Sequence, residues 1–386
     1  MRHLSRNLQA EKSYSVFMST RAEGPQNIRP ALALTAISAS AAFAHSDPRA
    51  RVVGIDIARG LAILGMFVAH ATPRVNGTEL LVDGRSSILF ATLAGVSLGL
   101  LTGAERPTPR GIRSDRVTSI VLRAIFIFLI GVVLSSFDSD VAVILDYYGI
   151  MFLLLTPVLF FPRWALAAVG VGLLALAPAL GAGQGDVNTS RDSVNYFVDY
   201  YIFNGYYPVL IWLPFLLTGL IVARSGLTRP RTQVLMIGVG TFFAFAGYGA
   251  AAAVPGVSAE AHSGSTAEVL GSGGLAIAII GALLWLTAPE RASCARMLRG
   301  VLWPVAAAGS MALTLYTLQI LALIGLVAVR DGGDQGVPVT VDYPGFPLLV
   351  GMVLASLLFA SLWRLFLGKG PLERALAAAS HRSHAP

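Results

Sequence analysis

Apolar segments long enough to cross a bilayer recur along nearly the whole chain. A membrane-spanning helix needs roughly 20 predominantly apolar residues. Ten segments meet this requirement: 52–71, 86–102, 117–136, 141–161, 164–182, 207–223, 233–254, 269–288, 302–329 and 345–367. Because lipid offers backbone polar groups no partners, such segments fold as helices. The pattern predicts an all-α, polytopic membrane protein with about ten transmembrane helices, the ninth of which is long enough to be kinked near Gly309 or tilted.

The composition excludes several other classes of protein. Charged residues make up 13% of the 386 residues, and the mean hydropathy is +0.69. A soluble domain is about one quarter charged, so an ordinary cytosolic enzyme is excluded. The single cysteine, Cys294, excludes a disulfide framework. The sequence has no P-loop, dinucleotide-binding, His-Glu-x-x-His or paired Cys-x-x-Cys motif, so we expect neither a metal nor a tightly bound cofactor.

The distribution of charge along the chain predicts its orientation. Ten crossings place both termini on one side and divide the loops into two sets. One set carries 17 basic and 4 acidic residues, and the other carries 4 basic and 13 acidic residues. Cytoplasmic loops are enriched in Lys and Arg, so the first set and both termini are predicted to be cytoplasmic. The net charge of +7 then reflects topology and gives no indication of a nucleic-acid partner.

The ends of the chain are predicted to lie outside the membrane domain. We expect a disordered cytosolic tail (1–48), a transmembrane domain (49–376) and a C-terminal cytosolic tail (377–386). An alternative for the N-terminal region stays open, because Arg21 and Arg29 followed by an Ala-rich stretch are similar to a secretory signal. Cleavage there would invert every loop, which the charge asymmetry opposes.

The first span contains three ionisable residues, Asp56, Arg59 and His70. At about 100° per residue they share one helix face. Ionisable residues within a membrane are costly and by default indicate function. Asp56 and Arg59 have ion-pair spacing near the predicted cytosolic end, and His70 lies roughly 21 Å further along, near the outer end. An ion pair that anchors the helix end, and a histidine bonded to a loop, are the structural alternatives.

Polar residues that follow the first span are further candidates for a site. Asp83 would orient His70 as a carboxylate partner, while Arg85 and Ser86 would bind an anion or a carbonyl oxygen. Ordinary turn chemistry explains Asp83 and Arg85 equally well. In the second half of the chain, Gln319 is a polar position within the ninth span, and we expect a helix–helix hydrogen bond there.

The loop before the eighth span contributes two more candidates. His262 is a second outward-facing imidazole. Ser265 and Glu268 have capping-box spacing, so Glu268 either binds a substrate or caps a helix. Aromatic residues crowd positions 196–207, and they form either an interfacial belt or a platform on which a sugar or lipid headgroup stacks.

Several of these residues form motifs that resemble a known family. The motifs are Arg51-Val-Val-Gly-Ile-Asp56-Ile-Ala-Arg59-Gly60 continuing to His70, Gly84-Arg85-Ser86-Ser87, Leu93-Ala-Gly-Val-Ser-Leu98, and the segments 262–274, 311–316 and 370–374. They resemble bacterial relatives of the heparan-α-glucosaminide N-acetyltransferase catalytic domain and the linked DUF418 group of uncharacterised membrane proteins. The resemblance covers most of residues 51–376.

The resemblance implies a transmembrane acyltransferase in a bacterial plasma membrane. Such enzymes take an acyl group from cytosolic acyl-CoA, for example acetyl-CoA, and deliver it to a glycan or glycolipid acceptor on the far side. A histidine at the outer end of an early span is essential in them, and by position this role falls to His70. Asp83 is its expected catalytic partner.

The residues themselves allow the same chemistry. Arg113 and Arg116 would attract the phosphates of acyl-CoA, and its pantetheine arm would follow the face that carries Asp56 and Arg59. His70 would act as a general base on the acceptor. The remaining expected substrate-binding residues are Arg85, Ser86, His262 and Glu268.

Other functions stay open at this point. A transporter or flippase for a small polar or lipid-linked substrate would also use intramembrane ion pairs, although the sequence shows no inverted repeat. A non-catalytic membrane subunit is a third alternative. The oligomeric state is undetermined, with a homodimer as one option.

Overall fold

The structure, a computed structural model, is all-helical across the residues that it describes, which are 52–74, 78–137, 139–181, 194–289, 291–332 and 345–380. The helices are α1 (Val53–Ala71), α2 (Arg85–Leu101), α3 (Arg113–Ser135), α4 (Leu145–Leu155), α5 (Arg163–Gly181), α6 (Val194–Val198), α7 (Val209–Ser225), α8 (Pro230–Ala253), α9 (Thr266–Leu286), α10 (Ala292–Val301), α11 (Trp303–Gly309), α12 (Ala312–Gly332), α13 (Phe346–Phe366) and α14 (Pro371–Ser380). The predicted tail 1–48 and residues 381–386 lie outside the described residues.

Each predicted apolar segment contains a helix, and the ninth contains two. Among the described residues, six helices are long and apolar enough to cross a membrane, namely α1, α3 with the turn before it, α8, α9, α12 and α13. A seventh candidate is the pair Val194–Asn204 and Val209–Ser225, which is bent by 54°. Helices α2, α4 and α5 are apolar but shorter. The all-α membrane architecture is confirmed, while ten crossings and cytoplasmic termini stay predictions.

Burial divides the helices into central and peripheral ones. The most apolar 18-residue windows of α1 and α9 are each 56% buried, whereas that of α13 is 6% buried. The exposed leucines of α13 (Leu354, Leu358, Leu362 and Leu365) recur at helical spacing. A face of this kind suits contact with lipid. The centre of the bundle is therefore built around α1 and α9.

The ninth predicted segment is divided between α11 and α12, which are separated by Ser310 and Met311. Helix α11 crosses α1 at very short range, since a side chain at Gly309 would collide with the carbonyl oxygen of Asp56. Helix α14 contacts the beginning of α12, where the Glu373 carboxylate accepts hydrogen bonds from the Thr314 N–H (3.1 Å) and hydroxyl (2.6 Å). This helix continues to Ser380, four residues beyond the predicted boundary at 376.

A buried arginine joins three helical segments near the end of α7. Arg224 is only 6% exposed. Its guanidinium donates to the Thr102 hydroxyl (2.7 Å), the Leu159 carbonyl oxygen (2.8 Å) and the Gly99 carbonyl oxygen (3.3 Å). Arg224 is one of the 17 basic residues that the charge distribution places in cytoplasmic loops. In the structure it is buried and donates to groups at helix ends, where carbonyl oxygens lack partners within their own helix.

Candidate active site

A polar cavity of about 730 Å³ lies at one end of the bundle. Ligand sites commonly have volumes of about 300–1,000 Å³. The cavity is lined by Ala69, His70, Arg74, Glu79, Asp83, Gly84, Ser86, Ser87, Asp140, Val141, Ala142, Tyr206, Tyr207, Glu260, Ala261 and His262. The structure thus brings together four residues that the sequence singled out, His70, Asp83, Ser86 and His262.

The ring of His70, near the C-terminal end of α1, is held by α12. Its Nδ1 atom lies 2.7 Å from Nε2 of Gln319. In one arrangement the amide N–H donates to Nδ1. With the amide turned over, Nδ1–H donates to Oε1 and leaves Nε2 as a proton acceptor. The predicted helix–helix hydrogen bond of Gln319 is confirmed, and its partner is the candidate catalytic base.

The carboxylate of Asp83 has a different partner from the one expected. Both of its oxygens accept from the Arg74 guanidinium, with Oδ1 at 3.0 Å from Nη2, and Oδ2 also accepts from the Leu80 N–H at 2.7 Å. Arg74 donates in addition to the carbonyl oxygen of Ala69 at 3.0 Å. In the structure Asp83 binds Arg74 and closes the loop after α1, while Gln319 contacts the His70 ring; the catalytic role of Asp83 stays a prediction.

Arg85 and Ser86, the first residues of α2, have separate roles in the structure. The Arg85 guanidinium binds Glu79 (2.6 Å) and the Tyr248 hydroxyl (3.1 Å), and the same Glu79 oxygen accepts from the Ala261 N–H (2.7 Å). Arg85 consequently joins the loops before α2 and before α9 to α8, and it is not among the residues that line the cavity. Ser86 does line it. The preceding residue, Arg85, instead links Glu79 to Tyr248.

His262 is fixed in the cavity wall by an unusual backbone conformation and by aromatic rings. Its φ of 60° is left-handed. The ring lies 4.4 Å from that of Tyr206 and stacks on Trp212 at 5.9 Å, measured between centroids. Burial lowers the pKa of His262 to about 4, although the carboxylates of Asp83 and Glu79 oppose the shift. The imidazole is therefore neutral at physiological pH.

Glu268 caps α9 and supports the loop that carries His262. Its backbone N–H donates to the hydroxyl of Ser265, the N-cap residue, at 3.0 Å. Its carboxylate accepts from the N–H groups of His262 (2.7 Å) and Gly264 (2.8 Å). The capping alternative for Glu268 agrees with this geometry, and the side chain is not among the cavity-lining residues.

The predicted ion pair in α1 is present, but it lies away from the cavity. Arg59 Nη1 is 3.2 Å from Asp56 Oδ1, and Nη2 donates to the Ser97 hydroxyl at 3.0 Å. On the same face of α1, between this pair and His70, the side chains of Met66 and Phe67 are each 1% exposed. The expected path along this face is closed in the structure, and the pair ties α1 to α2.

The two arginines expected to bind phosphates also lie apart from the cavity. Arg113 begins α3, where its Nε donates to the Thr108 carbonyl oxygen (2.8 Å) and its guanidinium lies 4.8 Å from the Phe160 ring centroid. Arg116 is exposed one turn later. No group of three or more His, Cys, Asp or Glu side chains that could hold a metal ion occurs in the described ranges.

Sequence reasoning did not assign several cavity residues. Arg74 and Glu79 looked like ordinary loop charges, and nothing in their spacing indicates which of them faces inward. Tyr206 and Tyr207 belonged to the aromatic segment whose role stayed open. The structure places both tyrosines in the cavity wall, which favours a platform over a simple interfacial belt.

The fold and the cavity define a polytopic helical membrane protein with a polar, histidine-containing site at one end of its bundle. A family profile described as "Heparan-alpha-glucosaminide N-acetyltransferase, catalytic" matches residues 51–250, more than half of the chain, and the chain belongs to this family. A second profile, "Protein of unknown function (DUF418)", matches residues 218–382. No match is found among curated proteins. The family indicates a membrane acetyltransferase-type enzyme.

Proposed function

We propose that this protein transfers an acetyl or other acyl group from cytosolic acyl-CoA to a glycan or glycolipid acceptor on the extracytoplasmic side of the cell membrane. The observation that carries the proposal is the placement of His70. Its ring borders a polar cavity and is bound at Nδ1 by Gln319. Few groups other than a histidine can exchange a proton near neutral pH, and the chain belongs to an acetyltransferase family.

In the proposed reaction, the acceptor hydroxyl or amine attacks the thioester carbonyl carbon of acyl-CoA. His70 Nε2 takes the acceptor proton as the new C–O or C–N bond forms. The C–S bond then breaks, and the leaving thiolate receives that proton from the imidazolium, so that CoA leaves as the thiol. Gln319 would supply the Oε1 acceptor for Nδ1–H, which keeps Nε2 free for the transfer.

The N-terminus of α2 is the best placed group to stabilise the negative charge that develops on the carbonyl oxygen. Gly84, Ser86 and Ser87 border the cavity at this helix end. Helix N-termini carry a partial positive charge and attract anions. The N–H groups of Arg85 and Ser86 already donate to the carbonyl oxygens of Asp83 and Val82, so this helix end would act through its partial positive charge. We therefore assign stabilisation of the oxyanion to the N-terminus of α2 and not to the Arg85 side chain.

The composition of the cavity suits a sugar acceptor. Charged side chains, including the Arg74–Asp83 pair and Glu79, offer hydrogen bonds to hydroxyl groups. The ring of Tyr206, which is 53% exposed, provides an apolar face on which a sugar can stack, and the buried Tyr207 supports it from behind. His262 adds a neutral imidazole that can donate or accept a hydrogen bond. Polar groups placed within an aromatic wall fix the orientation of a bound ligand.

The donor would reach His70 from the opposite end of α1, where Arg113 and Arg116 attract the CoA phosphates and the Asp56–Arg59 pair borders the route. Since Met66 and Phe67 are both buried along this route, we propose that the Met66 side chain moves when acyl-CoA binds. Methionine is unbranched and flexible, and it adapts to a ligand with little strain.

Proteoliposomes test the proposal directly. Labelled acetyl-CoA is supplied on the membrane side at which Arg113 lies. A glycan acceptor is supplied only on the opposite side. We expect labelled acceptor to accumulate there without leakage of acetyl-CoA. Movement of unmodified acceptor across the membrane without acetylation would instead support the transporter. If no acceptor were either acetylated or transported, both functions would be contradicted.

A further inference from the structure

A second concave feature lies on the side of the bundle, at the other end of α7 from the polar cavity. Two cavities, of about 580 and 210 Å³, both include Thr218, Ile221 and Ile277 in their walls. They therefore form one continuous groove, called the lateral groove below. Helix α7 is its floor, α5 is one wall, and α8 with α9 is the other. None of the residues that bind His70 lines it.

The mouth of the lateral groove is basic. Arg163 at the beginning of α5 and Arg229 and Arg231 around the beginning of α8 border it. Arg229 is ion-paired with Glu105. The part of the chain that the structure describes gives neither Arg163 nor Arg231 a salt bridge, and both side chains are exposed. Two guanidinium groups are thus available to an anion at this mouth.

Below the mouth the groove is apolar and opens sideways. Val171, Leu235 and Val239 line its walls, yet they are 65%, 55% and 45% exposed. In a membrane these side chains face the hydrocarbon. From Arg163 to Leu174 the wall extends about 16 Å along the axis of α5. This is close to half of the roughly 30 Å hydrocarbon thickness, so the groove has the length of one leaflet.

Gly170 gives the groove its width. A Cβ atom added at Gly170 would have only Leu217 Cδ1 within 4 Å, at 3.9 Å, so the space above the α7 floor is open there. On the other wall, the Phe215 ring packs closely against Gly273, 3.1 Å from its ideal Cβ position, and covers the backbone of α9. An unbranched chain can therefore lie on α7 between α5 and α9.

We propose that the lateral groove binds a phospholipid with an anionic headgroup. The phosphate would bind Arg163 and Arg231, which supply charge-assisted hydrogen bonds, and one acyl chain would lie in the apolar part beside Gly170. A soluble anion fits poorly, because the groove continues for a full leaflet without charged residues. The orientation predicted from the loop charges places the mouth at the cytoplasmic leaflet, which is the anionic one.

Native mass spectrometry of the full-length protein tests the proposal. The protein is reconstituted in equal amounts of phosphatidylglycerol and phosphatidylcholine and released in mild detergent, and the retained lipid is counted. We expect phosphatidylglycerol to be retained preferentially. In the double variant Arg163→Gln/Arg231→Gln, the ratio of retained phosphatidylglycerol to phosphatidylcholine should fall about tenfold. Each basic residue near an anionic headgroup contributes a several-fold preference. Arg110→Gln, an exposed arginine outside the groove, is the control.

Gly170→Leu separates binding in the groove from binding at the surface. Leucine at this position fills the acyl-chain space, and we expect retention of phosphatidylglycerol to fall to the level of phosphatidylcholine. Gly172→Leu, two residues along the same helix and outside the groove, should retain lipid as the wild type does. Unchanged retention in Gly170→Leu, equal retention of the two lipids by the wild type, or displacement of the lipid by inorganic phosphate would each overturn the proposal.

Discussion

His70 on α1 and Gln319 on α12 are joined by a 2.7 Å contact between Nδ1 and Nε2, although 249 residues separate them in sequence. The contact determines which ring nitrogen faces the polar cavity. It also identifies Gln319 as a positioning residue, because it acts through His70 and does not itself line the cavity.

Replacement of Gln319 by leucine should lower the rate of acyl transfer. Without the amide the ring is free to rotate and to change tautomer, and misplacement of a catalytic group by about 1 Å can cost about 100-fold. We expect kcat to fall by up to that factor while the KM for the acceptor changes little. Gln319→Glu, which keeps an acceptor for Nδ1–H, should restore part of the rate and alter the pH profile.

Thr317→Val is a suitable control for this variant, since it changes a neighbouring polar side chain on the same helix without touching His70. If Gln319→Leu had the wild-type rate and pH profile, the amide would have no part in positioning the base.

Loss of the Asp83 charge should mainly affect the stability of the loop after α1. Asp83→Asn replaces one of the two carboxylate oxygens that accept from Arg74 by an NH2 donor and removes the charge, and hydrogen bonds to charged groups contribute about 1.5–3 kcal/mol. We expect a loss of stability of this size, with little change in the pH profile of kcat. A double-mutant cycle with Arg74→Gln should show the coupling between the two residues. If Asp83→Asn changed the pH profile of kcat as the Gln319 variants do, Asp83 would be the partner of His70 after all.

The stability of the folded protein should decrease on acidification because of His262. Its pKa is about 4 in the folded protein, compared with 6.5 for an unperturbed histidine. Between these values the unfolded chain binds a proton that the folded chain does not, so stability is retained above about pH 6.5 and is lost towards pH 4. Thermal unfolding of wild type and His262→Gln across this range measures the effect. Equal slopes for the two proteins would contradict it.

Arg224 should be among the residues most sensitive to substitution outside the cavity. Arg224→Leu removes the donor of the buried Leu159 carbonyl oxygen, whereas the Gly99 carbonyl oxygen keeps the Ala104 N–H and the Thr102 hydroxyl still donates to Leu98. An unsatisfied buried group costs about 1–3 kcal/mol, and we expect a loss of this size in unfolding measurements. Arg224→Lys should recover only part of it, since lysine lacks the planar fork. Stability close to that of an exposed control, Arg110→Leu, would show that these hydrogen bonds contribute little.

The fold was largely accessible from the sequence because the cost of exposing backbone groups to lipid forces apolar segments into helices. Each of the ten segments therefore contains a helix, and the interruption near Gly309 was expected. The candidate site was accessible only in part. Periodicity placed Asp56, Arg59 and His70 on one face of α1, but it carries no information on contacts between distant helices.

For this reason the sequence points to the nearby Asp83 as the partner of His70, whereas the contact in the structure comes from Gln319. A carboxylate close in sequence is a reasonable candidate, but Arg74, nine residues away from it, competes for the same oxygens. The capping role of Glu268 is local, and the spacing from Ser265 was enough to suggest it. Long-range pairs such as His70–Gln319 and Arg224–Leu159 required the folded structure.

The most direct test of the proposed mechanism is the rate of acetyl transfer by His70→Ala in proteoliposomes. The variant should keep the wild-type unfolding temperature within a few degrees, because His70 borders a cavity. Loss of a general base commonly lowers a rate by about 10²–10⁴-fold, and we expect acetylation of the acceptor to fall by at least the lower factor. Acetylation at the wild-type rate by a folded His70→Ala protein would show that His70 is not the base.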